Sequence, residues 1–118
     1  MMRPHWDRPE LRYRLVDGDV DLLPGVRLVE CGGHVPGHQA VVVTLPKTGA
    51  ILLAGDAWMR GTDAGTRPMT PFDHDEAGTR RSQAALQRLA SEIPARLVIH
   101  NHDVEQWADL RRAPECYR

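Results

Sequence analysis

The chain changes its apolar rhythm part-way along. Its first half carries short apolar blocks cut by Gly, Pro and Asp; its second half carries apolar residues at helical spacing. Leu11, Tyr13 and Leu15 alternate with Arg12, Arg14 and Val16, which predicts a half-buried strand. Asp17-Gly18-Asp19 is a turn signal, and Val20 to Leu23 can return as the second arm of a hairpin. Pro24-Gly25 turns the chain again, and Val26 to Val29 is another short strand. Gln39 to Leu45 is apolar and β-branched, and Ala50 to Ala54 is wholly apolar. Both read as buried strands joined through Pro46-Lys47-Thr48-Gly49.

Farther on, Arg60 to Pro71 is a long Gly/Thr/Pro loop. Leu86, Leu89, Ala90 and Ile93 follow the i, i+3, i+4, i+7 rule, predicting a helix from Glu76 to Ile93 that Pro94 stops. Asp73 or Asp75 can cap it, and with Glu76 they read as helix N-terminal charges rather than catalytic acids. Arg80, Arg81 and Arg88 fall on a solvated face. Arg96 to Ile99 is a short buried strand, and Val104 to Arg112 a last helix capped by Asp103, with Trp107 and Leu110 packing inward. The expected architecture is α/β: a β-meander followed by helix, strand and helix, with the helices on one face. Residues 1–118 form one domain, with an irregular arm at 1–10, a mainly β part at 11–54 and the helix-strand-helix part at 75–112.

Composition narrows the function. Fifteen Lys and Arg oppose sixteen Asp and Glu, for a net charge of −1. With no long run of one sign, nothing points to nucleic acid or an anionic membrane. No apolar run is long enough to span a bilayer, and the polar N-terminus does not read as a secretory signal. The expected compartment is the cytoplasm, where Cys31 and Cys116 would be thiols. Six histidines are numerous for 118 residues. His5-Trp6-Asp7 lacks neighbouring ligands, so Trp6 reads as a packing anchor.

The remaining candidates gather where strands end. His34 and His38 lie in the Cys31 to Gly37 loop, whose Gly and Pro residues forbid a helix. Asp56 follows one apolar run, and His100-Asn101-His102-Asp103 follows another. Reactive groups collect beyond strand ends in α/β folds. Two imidazoles and a carboxylate suit zinc or a similar divalent metal, and a carboxylate can bridge two. His100 shares strand parity with His102, although the His-Asp pair favours His102. His74 reads as a surface residue, Trp58 and Met59 as core or pocket wall, and Asp63 has no assigned role.

Gly33-His34-Val35-Pro36-Gly37-His38-Gln39, then Ala54-Gly55-Asp56-Ala57, then His102-Asp103, resembles the metallo-β-lactamase superfamily, and within it the N-acyl-homoserine lactonase branch. The resemblance covers nearly the whole chain and implies the C-terminal half of an αββα sandwich. It implies that His34 binds one metal, His102 a second, and Asp56 bridges both, with zinc the expected metal of a dinuclear site. His38 and Gln39 would support the loop. It further implies that metal-bound hydroxide opens a lactone or other ester, with Asp56 passing a proton to the leaving alkoxide.

The sequence also departs from that pattern. It contains no HxHxDH, the motif that supplies further ligands in the family. Met59 stands where a tyrosine often follows the bridging acid, and Cys31-Gly32 replaces Thr-Pro. Each metal would see two donors from this chain, against three at an ordinary catalytic zinc. Two expectations follow: a hydrolase fragment completed by a missing half, or a non-catalytic remnant that self-associates through its open sheet edge.

Overall fold

In the computed structural model, residues 7–63 and 68–118 are described. His5 and Trp6 lie outside them. Among the described residues the elements are β1 (Val20–Leu23), β2 (Val26–Glu30), β3 (Gln39–Leu45), β4 (Gly49–Gly55), α1 (Glu76–Glu92), β5 (Leu97–His100) and α2 (Val104–Asp109). The strands form one sheet in the order β1-β2-β3-β4-β5. The first four make an antiparallel meander, while β5 returns through α1 to lie parallel to β4.

The period-two side-chain rule gives the two faces different jobs. Helix α1 closes over one face, where Val29, Cys31, Ala40, Val42, Leu52, Ala54, Ala57 and Leu86 form the buried core. Leu89, Ala90 and Ile93 pack against its margin. The opposite face carries two apolar rows across the sheet. One runs Leu28, Val41, Leu53, Ile99, and the other Val26, Val43, Ile51, Leu97. Ile51 is buried in the second row, but Leu53 at the centre of the first is 37% exposed.

Two sequence expectations fail. Leu11 to Val16 is not a strand: it runs as irregular chain, with Leu15 93% exposed. Alternation alone could not hold it: β1 is the edge strand, and the Asp17–Asp19 turn does not bring Leu11 to Val16 back to pair with it. Helix α2 stops at Asp109, and Trp107 is 58% exposed rather than packed inward. Six residues give less than two turns, and α2 buries none of them. At the start of α1 the buried residues are polar or small: Gly78, Thr79 and Gln83 precede Leu86. Gln83 is fully buried because its Nε2 donates to the Asp63 carbonyl at 2.7 Å, which ties the long loop to the helix.

Candidate metal centre

Because β3 is antiparallel to β4 while β5 is parallel to it, the loop before β3 and the ends of β4 and β5 share one sheet edge. His34, Asp56 and His102 meet there. Asp56 is the hub. Its Oδ2 lies 3.4 Å from His34 Nε2, and its Oδ1 lies 3.1 Å from His102 Nε2. Asn101 Nδ2 also donates to Oδ1, at 3.3 Å. The two histidines therefore address different oxygens of one carboxylate.

His38 touches the hub through the backbone. The Asp56 N–H donates to His38 Nε2 at 3.1 Å, so a neutral His38 carries its proton on Nδ1. That Nδ1 faces Cys31 Sγ at 3.0 Å. Burial pushes the Cys31 thiol up to about 12, so the sulfur stays protonated and accepts the bond. Gly55 makes this approach possible. Its φ is +58°, and a Cβ there would come within 2.7 Å of the His38 ring. Gln39 opens β3 opposite Glu30.

His34 is fixed from behind by a residue the sequence reading set aside. Asp73, read as a helix-terminal charge, has a side chain only 3% exposed, and its Oδ1 lies 3.1 Å from His34 Nδ1. Thr70 donates to its Oδ2 from both the backbone N (2.6 Å) and Oγ1 (2.9 Å). Thr79 Oγ1 lies 3.4 Å from Oδ1, with its proton directed to the Asp75 carbonyl at 2.9 Å. The loop itself docks on the start of α1. Asp75 N–H donates to the Gly33 carbonyl at 2.8 Å, His74 N–H to the His34 carbonyl at 3.0 Å, and Ser82 Oγ to the Gly32 carbonyl at 2.6 Å. Asp75 is the N-cap by position, but its side chain caps nothing. No local signal announces Asp73, since its partner lies 39 positions away.

His102 is held differently. Its N–H donates to the Met59 carbonyl at 3.1 Å, and its side chain is 56% exposed. The adjoining Asp103 caps α2, with Oδ1 accepting from Gln106 N–H at 2.9 Å. Its Oδ2 accepts from Gly61 N–H at 2.9 Å, so one carboxylate joins α2 to the loop after Asp56. Those two backbone donors hold Asp103 below the usual carboxylate range. His100, two residues earlier, points elsewhere. It is buried, its Nδ1 lies 3.0 Å from the Trp58 carbonyl, and it packs edge-on to Trp58. A cavity of about 340 Å³ opens beside this end, lined by Arg60, His102, Val104 and Trp107 among others.

The donor set fits part of a metal centre and not a whole one. Among the described residues, no group of three or more His, Cys, Asp or Glu side chains is arranged to hold a metal ion. Cys31 is engaged with His38, and both cysteines are free thiols.

No family profile matches the chain. Individual proteins do. An N-acyl homoserine lactonase from a Bacillus species is 31% identical over 110 residues, which cover 91% of this chain and 42% of that protein. The AttM N-acyl homoserine lactonase of Azorhizobium caulinodans is 33% identical over 122 residues, covering 98% and 46%. This chain is a relative of the N-acyl homoserine lactonases, in the metallo-β-lactamase superfamily. A solved N-acyl homoserine lactone hydrolase, with the product N-hexanoyl-L-homoserine bound at its catalytic metal centre, superposes with a TM-score of 0.79 at 30% identity. The match covers 91% of this chain and 42% of the solved one. The chain thus spans less than half the length of these relatives, and its mixed α/β fold is the one expected. None of its described helices is long and apolar enough to cross a membrane.

Proposed function

We propose that this chain supplies half of the divalent-metal site of a lactone-opening hydrolase, with His34 and Asp56 serving one metal position and Asp56 and His102 the other. The observation that carries the reading is the division of the Asp56 carboxylate, one oxygen to each histidine Nε2. Two donors per position fall short of the three usual at catalytic zinc, so the remaining donors come from another polypeptide segment. A pair of divalent ions, when bound, would polarise the ester carbonyl and lower the pKa of water near it. This chain's own residues would orient the site. Asp56 would take a proton from the attacking water and pass it to the leaving alkoxide, and the apolar side chains of Val104 and Trp107 in the cavity beside His102 would face an acyl group. The substrate class, a lactone or ester with an N-acyl homoserine lactone as its leading member, follows from what the relatives act on.

A second reading, a non-catalytic chain that self-associates, draws on the two-donor count and the apolar row with exposed Leu53. Calorimetric zinc titration of the chelator-cleared chain separates the two. The hydrolase reading expects zinc uptake that is lost in His34→Ala and Asp56→Ala, and lactone opening once zinc or manganese and a donor-bearing segment are added. Binding unchanged in both variants, or no uptake by the parent chain, sinks it.

A further inference from the structure

We infer that Asp73 is a positioning residue that sets the tautomer of His34, holding the ring proton on Nδ1 and leaving the Nε2 lone pair aimed at the Asp56 side of the site. The inference rests on the reading of His34 as a metal donor. A neutral imidazole carries one N–H and one acceptor nitrogen, and whichever group faces one nitrogen decides the role of the other. Both ring nitrogens face carboxylate oxygens, Asp73 Oδ1 at 3.1 Å from Nδ1 and Asp56 Oδ2 at 3.4 Å from Nε2, and the shorter, more buried contact to Asp73 takes the proton. The carboxylate cannot turn away, because its second oxygen is occupied by two donors from Thr70, one of them the backbone N–H at 2.6 Å. Nor can the ring swing out: the His34 side chain is only 14% exposed, and its backbone carbonyl is held by His74 N–H. Outer carboxylates of this kind orient histidine donors, and losing one costs about 10–100-fold in metal affinity.

The Thr70 backbone makes the inference unusually testable. In Asp73→Asn, one carboxylate oxygen becomes an NH2 group. The Thr70 N–H must be met by an acceptor, so the amide oxygen turns toward Thr70 and the NH2 faces His34 Nδ1. That nitrogen then has to accept, and the proton moves to Nε2, where it blocks the donor lone pair.

The measurement is the long-range 1H–15N correlation pattern of the His34 ring in the full chain, at a pH where the ring is neutral. The wild type is expected to show Nδ1–H and Asp73→Asn to show Nε2–H. Zinc affinity, read separately by calorimetry, should fall by about 10–100-fold in the variant. A wild-type His34 protonated on Nε2 overturns the inference, and so does an Asp73→Asn chain that folds and keeps Nδ1–H. If Asp73→Asn fails to fold, the wild-type spectrum decides by itself. Thr70→Val, which removes one donor from the same oxygen, is then expected to keep Nδ1–H with a smaller loss of affinity. A wild-type chain with Nδ1–H that takes up no zinc supports the role of Asp73 and overturns the donor role of His34.

Discussion

The two flanks of Asp56 are built to different standards. On the His34 side, a nearly buried imidazole is backed by a buried carboxylate, two threonines and the docked start of a 17-residue helix. On the His102 side, a half-exposed imidazole stands on a short turn, steadied by one backbone bond and by its neighbour's cap. Removing a contact from the first flank leaves a polar group stranded, while removing one from the second lets water in. Unsatisfied buried groups are the costly ones, so the same pair of histidines should answer mutation very differently.

The sharpest way to break the first flank is Gly33→Ala. Gly33 sits at φ +126°, and a Cβ would come within 2.1 Å of Thr79 N and 2.5 Å of the Gly78 carbonyl carbon. Both are backbone atoms and cannot rotate aside. A loss of about 3 kcal/mol or more is expected in urea denaturation. His34→Ala comes next, at about 1–3 kcal/mol, because it removes the imidazole partner of the nearly buried Asp73 carboxylate. A stability equal to wild type would mean that Asp73 finds other partners.

Acid probes the second flank with a smaller effect. Asp103 has its pKa lowered in the folded state, so its stabilisation is present above the ordinary carboxylate value, near 3.9, and is lost as pH falls through the lowered value. Faster amide exchange at Gln106 and Trp107 over that acid window would report α2 fraying, and Asp103→Ala should abolish the pH dependence. The smallest effect belongs to His102→Ala, expected within about 0.5 kcal/mol of wild type in the same denaturation. Yet this variant should lose zinc uptake as fully as His34→Ala, because each takes one imidazole from Asp56. Equal stability costs in the two histidine variants would erase the contrast between the flanks.

The same contrast separates what could be read from the sequence from what could not. Gln39–Leu45 and Glu76–Glu92 declared themselves, because burial on one face leaves a periodic trace. His34, Asp56 and His102 were legible as strand-end residues in a motif order. Asp73 was not, since it sits beside two other acids before a helix and its partner is remote in sequence. Gln83 was hidden for a related reason: a buried amide that answers a loop carbonyl breaks apolar periodicity rather than following it. Leu11 to Val16 erred the other way. It had the rhythm of a strand and no neighbour to pair with, and Trp107 had helical company too short to bury it.

The parallel pairing of β4 with β5 also fixes an order of assembly. Strands β3 and β4 meet across a tight hairpin, a local closure of the kind completed in microseconds. Asp56 and His102, 46 positions apart, meet only after the chain between them, including α1, has closed upon the sheet. Such distant contacts come late, because the entropy of closing the loop must be lost before they form. A refolding experiment that follows zinc uptake alongside backbone helicity should therefore see binding lag behind the sheet, with the metal reporting the last closure of the chain.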